Sequence, residues 1–209
     1  MAREFHKPTR FEGYRFEAYI GAEDPAQRYA VAHETARTLV DRGRESGAEE
    51  LVERMIAYTD AHGIDALAEL WASSAAESLP GALWRLYLLR ALVRQDPEAA
   101  AQAFQRGVEA LPTADLAIAG APSPAGPEEI ADLVDLILRG AFSGDLADAL
   151  LRAAATSRIL AAGTLAEADA SDVASPERAT LFMNRAARLG AIGAELEAAA
   201  RLECSERLD

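Results

Sequence analysis

The sequence predicts an all-α protein, a multi-helix bundle or short α-solenoid of about nine helices. Three observations carry that expectation. Alanine is the commonest residue by a wide margin, so summed propensity favours helix almost everywhere. No segment alternates apolar and polar residues for long enough to make a strand. Caps, prolines and glycines cut the chain into pieces of helical length.

Composition bounds the class. The chain has 209 residues, of which 50% are hydrophobic, enough for a substantial core in one large or two small domains. It carries 21 basic against 34 acidic residues, a net charge of −13, which argues against a nucleic-acid partner because no counterion release would drive binding. Lys7 is the only lysine, and the other basic residues are arginines. The single Cys204 has no intramolecular disulfide partner and sits beside Glu203 and Glu206, without the electropositive setting of a reactive thiol. There is no apolar leader and no apolar run near ~20 residues. A cytoplasmic protein with no membrane partner is expected.

Residues 1–23 form an expected arm whose Phe5, Phe11, Tyr14, Phe16, Tyr19 and Ile20 dock on the body. The first helix starts at Asp24-Pro25, a cap followed by a first-turn proline, and stops at Gly43. Its inward face is Tyr29, Ala32, His33, Ala36 and Val40. A second helix over about 48–61 turns Leu51, Val52, Met55, Ile56 and Thr59 inward, and a third runs from Asp65, as its cap, to about Ser78. Pro80-Gly81 then opens the central helix, which holds Trp84 and the densest apolar run in the chain. Asp96-Pro97 ends it and caps the next helix, which closes before Pro112. The Pro/Gly-rich segment 120–127 reads as a linker between a helical half 24–119 and a second half 128–209, packed together. Beyond it Pro127 opens a helix with the stripe Ile130, Leu133, Val134, Ile137 and Leu138, stopped by Gly140. Asp145 to about Ala162 is a helix, and Glu167, Asp169, Ser171 and Asp172 belong to a polar loop. Ser175-Pro176 caps a helix using Phe182, Ala186 and Leu189, and a last helix groups Ile192, Leu196, Ala199 and Leu202.

The hairpin 81–112 resembles a tetratricopeptide repeat. With Trp84 at the family's early tryptophan position, Ala100, Phe104, Gly107 and Pro112 fall where that pattern wants alanine, a large ring, a small residue and a closing proline. Leu88 stands where the family keeps a small residue, and Tyr87 and Ala91 also depart from it. The resemblance covers one unit and implies that Phe104 packs between the two helices near Trp84. The phrases HGIDALAELW, LPGALWRLYLLR and RQDP resemble a group of helical cytosolic proteins of high-GC bacteria, some named after the RNA polymerase β subunit. That subunit is several times longer and mixed in secondary structure, so the resemblance implies a fold family and no activity.

Candidate chemistry is sparse. No paired Glu-x-x-His motifs, Ser/His/Asp order or phosphate loop can be assembled. Asp60, His62 and Asp65 are the one carboxylate and imidazole cluster, read here as helix-end residues and not as metal ligands. His33 reads as a satisfied core histidine. Asp132/Asp135 and Asp145/Asp148 have a spacing that suits Mg²⁺, but Asp132 and Asp135 lie opposite the apolar stripe and read as a solvated face. The better candidates are arginines. Arg178, Arg185 and Arg188 share one side of a helix, and Arg90 and Arg94 pair at the end of the central one. Both groups either neutralise nearby acids or form a patch for an acidic peptide or carboxylate ligand.

The expectation is therefore a non-enzymatic protein-interaction or adaptor module, without cofactor or metal, whose partner is another protein or a second copy of the chain. The alternative is a small-ligand sensor that binds in a cleft between the two halves. A deep apolar pocket favours the sensor, and an open groove favours the module.

Overall fold

Side-chain caps or first-turn prolines mark most helix starts in the computed structural model, which describes residues 24–45, 49–62, 64–111, 114–122, 125–171 and 175–209. The aromatic arm 1–23, Pro112 and Asp172 lie outside the described residues, as do the side chains of Leu51, Met55 and His62. Nine helices and no strand are found among the described residues.

Asp24 accepts a hydrogen bond from the Ala26 amide at 3.0 Å and starts α1 (Pro25–Gly43). Helices α2 (Glu49–His62) and α3 (Asp65–Trp71) follow. Helix α3 ends seven residues earlier than the sequence suggested, at Trp71. Ser73 and Ser74 sit just beyond that end, and short polar side chains compete for backbone groups there. Ser78 serves as the next cap, its hydroxyl donating to the Ala75 carbonyl at 2.7 Å and accepting from the Gly81 amide at 3.2 Å. Ile64, not Asp65, occupies the cap position of α3, and Asp65 lies in the first turn, where the helix dipole favours its charge.

Helix α4 (Leu79–Gln95) is the central helix, with Leu83, Leu86, Tyr87, Leu89, Arg90 and Val93 all buried. Asp96 alone separates it from α5 (Pro97–Ala110) and caps α5 by accepting from the Ala99 amide. A five-residue helix that the sequence did not announce, α6 (Asp115–Ala119), ends at Gly120, whose φ of 69° is left-handed. Helix α7 (Pro127–Ser143) buries Ile130, Leu133, Val134, Ile137 and Leu138 as its stripe predicts. Each such burial contributes roughly 1.5–3 kcal/mol relative to exposure.

One glycine expected as a helix stop lies inside a helix, and so do two that adjoin the boundaries expected near Ala162 and between Leu189 and Ile192. Gly140 is interior to α7, Gly163 to α8 (Leu146–Ser171) and Gly190 to α9 (Pro176–Cys204). The polar loop at Glu167, Asp169 and Ser171 is therefore the last turns of α8, and the two expected C-terminal helices are one. The tally of nine survives because this merger offsets the gain of α6.

Helices α8 and α9 form the most extensive contact in the molecule, followed by α5 with α8. The α5–α8 crossing is close because a methyl group at Gly107 would overlap the Ile159 carbonyl, and one at Gly163 would overlap the Ala103 carbonyl. Helices α4 and α5, by contrast, share few contacts, and α4 packs on α7, α1 and α9 instead. One apolar cluster runs from Ala32 in α1 to Leu208, spanning both sides of the linker. Within it Trp71, Tyr87 and Phe142 are in ring contact, with centroids 6.2 and 6.4 Å apart. No helix among the described residues is long and apolar enough to cross a membrane.

Candidate functional site

The five candidate arginines divide into two environments. Arg90 is buried and held between two helices other than its own. Its Nη1 stands 2.7 Å from Asp60 Oδ1, its Nη2 donates to Asp60 Oδ2 at 3.0 Å, and its Nε donates to Asp135 Oδ1 at 2.6 Å. Arg94, one turn later, donates to Asp135 Oδ2 at 2.9 Å. The four side chains form a neutral knot that ties α2, α4 and α7 together. Asp135 is therefore buried and paired, where the sequence placed it on a solvated face. Its position flanks the apolar stripe, and the reach of two arginines from α4 draws it in; Asp132 stays exposed. Hydrogen bonding from Arg90, which outweighs desolvation, holds the Asp60 carboxyl below the ordinary aspartate range.

Arg185 and Arg188 are placed differently. Helix α9 runs antiparallel beside α4, so that Arg85 meets Glu195 at one end while Leu92 and Gln95 face the first half of α9 at the other. Here the two helices leave a groove of about 480 Å³ lined by Leu92, Gln95 and Asp96 from one side and Leu181, Asn184, Arg185, Arg188 and Leu189 from the other. Positions 181, 184, 185 and 188 follow the spacing of one helical face. Neither Arg185 nor Arg188 has an ion pair or hydrogen-bond partner among the described residues. Asp96 is the one acid lining the groove among the described residues, and its Oδ1 is engaged as the α5 cap. At the mouth Leu181 is 69% exposed. Arg178 does not join the groove lining; its guanidinium lies over the Phe182 ring, 5.4 Å from the centroid.

A second space, about 260 Å³, lies among α5, α6 and the linker, lined by Phe104, Val108, Leu116, Pro122 and Ala125. Phe104 is buried, on the helix whose main partner is α8. No three His, Cys, Asp or Glu side chains among the described residues come together in a metal-binding arrangement. The imidazole of His33, expected to be satisfied, is half-buried with its Nε2 enclosed and without a hydrogen-bond partner among the described residues, and burial lowers its pKa. Tyr29, expected inward, is exposed and stacks on that ring at 4.0 Å.

The sequence pointed to Arg185 and Arg188 but not to Leu92, Gln95, Asn184 or Leu181, which make the groove a shaped surface. Leu181 carried a signal of its own, an apolar residue off the face defined by Ala179, Ala186 and Leu189. Two other missed residues are structural: Asp115 of α6 receives Arg158, which also donates to Glu197 at 2.9 Å and so joins α6, α8 and α9. No protein-family model, curated protein or solved structure matches this chain.

Proposed function

We propose that the chain is a non-enzymatic protein-interaction module that receives its partner in the groove between α4 and α9. The observation that carries this reading is the pair Arg185 and Arg188, unpartnered among the described residues beside the exposed Leu181 and the half-buried Leu92, in a protein of net charge −13. Exposed apolar side chains rimmed by polar ones mark docking surfaces, and arginine is enriched at interface centres. The volume of the groove also suits a small ligand, and it lies between the two halves, which is what the sensor alternative requires. The lining favours the module: no aromatic side chain contributes to it among the described residues, and a leucine stands in solvent at its mouth.

A photo-reactive benzoylphenylalanine in place of Leu181, irradiated in cells and followed by mass spectrometry, tests the reading. A discrete protein adduct is expected at that position and not at Tyr58 on α2, which is also exposed. Identical adduct patterns at the two positions would remove the support for a docking groove.

A further inference from the structure

Resting on that reading, we infer that the segment seated in the groove is an acidic amphipathic helix of a partner protein. Charge complementarity is the first argument. A guanidinium at an interface is matched best by a carboxylate, which accepts its planar fork of donors, and both arginines lack such a partner within the described chain. Elsewhere most arginines that face another helix are met by acids, Arg85 by Glu195, Arg90 by Asp60 and Asp135, Arg106 by Glu167, Arg139 by Glu53 and Arg158 by Asp115, while Arg152 donates to the Ala119 carbonyl. Arg185 and Arg188 repeat that pattern with the acidic half missing.

Shape supplies the second argument. Two antiparallel helices flank the groove, and the α9 wall runs from Leu181 to Leu189, two turns or about 12 Å at 1.5 Å per residue. A third helix laid between them meets ridges on both sides. Its apolar face, repeating at i, i+3, i+4 and i+7, covers Leu92, Leu181 and Leu189. Arg185 and Arg188 are three residues apart, so carboxylates three or four apart on the docked helix reach both. Asp96 closes the α4 end and repels a third carboxylate there, which sets where along the helix the acids lie.

The test uses three fluorescein-labelled helical peptides of one leucine pattern, carrying Glu, Gln or Lys at the flanking positions, titrated by anisotropy with the full chain. The Glu peptide is expected to bind about tenfold more tightly than the Gln peptide. That preference should vanish in Arg185→Gln/Arg188→Gln, and Arg185→Glu/Arg188→Glu should prefer the Lys peptide. Circular dichroism of each variant checks that helicity is intact. If the Glu and Gln peptides bind alike and both are lost in Leu181→Asp, the acidic partner is overturned while the docking groove stands. If Leu181→Asp changes nothing for any peptide, the interaction reading falls as well. Displacement of the Glu peptide by millimolar inorganic phosphate, with no dependence on Leu181, would assign the arginines to a small anion instead. A dimer in sedimentation that dissociates in Arg185→Gln/Arg188→Gln would make the occupant a second copy of the chain and overturn the inference.

Discussion

Arg90 carries a charge into a layer of leucines, and its tolerance there rests on Asp60 and Asp135. Breaking a buried pair from one side leaves the other charge desolvated, which costs about 3–5 kcal/mol, whereas replacing both members with apolar groups is often neutral. Arg90→Ala should therefore lower the urea midpoint far more than Arg90→Met/Asp135→Leu does, although the double variant removes more hydrogen bonds. Equal losses in equilibrium unfolding would mean that the knot contributes through packing and not through charge. Asp60 adds a pH dependence with a definite sign. Its folded pKa is depressed by hydrogen bonding from Arg90, so its contribution is complete above the ordinary aspartate value of about 4 and is lost as pH falls below it. Asp60→Asn should flatten the acid limb of stability from about pH 4 downward. Parallel limbs for the two proteins would remove that role. The sequence showed the two members on α4 but not their partners, because Asp60 and Asp135 lie 30 and 45 residues away and no local pattern joins them.

Glycine separates what was legible at the scale of elements from what was not. Starts at Asp24-Pro25, Asp96-Pro97, Gly126-Pro127 and Ser175-Pro176 were readable because a proline in the first turn is a local event. Stops were legible only in part: α1 ends at Gly43 and α4 at Gln95 as expected, but α7 runs through Gly140, because an interior glycine costs only about 1 kcal/mol against alanine, and packing overrules it. Gly163 sits where α5 crosses α8 so closely that a methyl group would meet the Ala103 carbonyl, while a methyl group at Gly190 meets nothing within 4 Å. The spacing Ala103-x-x-x-Gly107, set against Gly163, was the available signal for that crossing. Two substitutions of the same chemistry should thus have opposite signs. Gly163→Ala should destabilise by roughly 1–3 kcal/mol, since neither backbone can yield without moving a helix. Gly190→Ala should stabilise by about 0.5–1 kcal/mol through the unfolded chain and helix propensity. Thermal melts of both variants decide this, and a loss of stability in Gly190→Ala would place an unseen contact on that face of α9.

Taken as a whole, the molecule sets inter-helix arginine bridges against its own net charge. Arg85–Glu195, Arg106–Glu167, Arg139–Glu53 and Arg158–Asp115 each join two helices, and each has a partly exposed member. Partly exposed pairs contribute about 0–1 kcal/mol apiece and weaken as salt is added. The charge of −13 acts the other way, since repulsion among excess acids destabilises the compact state and is itself screened. The magnitudes favour screening of the repulsion. Between about 0.01 and 0.15 M salt the Debye length falls from about 30 to 8 Å. Distances across a folded domain lie within the first length and beyond the second, while ion pairs at about 3 Å lie inside both. Far repulsions are therefore lost before near attractions, and the buried Arg90–Asp135 pair is screened least. The melting temperature at pH 7 should rise over this range of sodium chloride. A melting temperature that falls instead would show the bridges, and not the excess charge, to be the larger electrostatic contribution to stability.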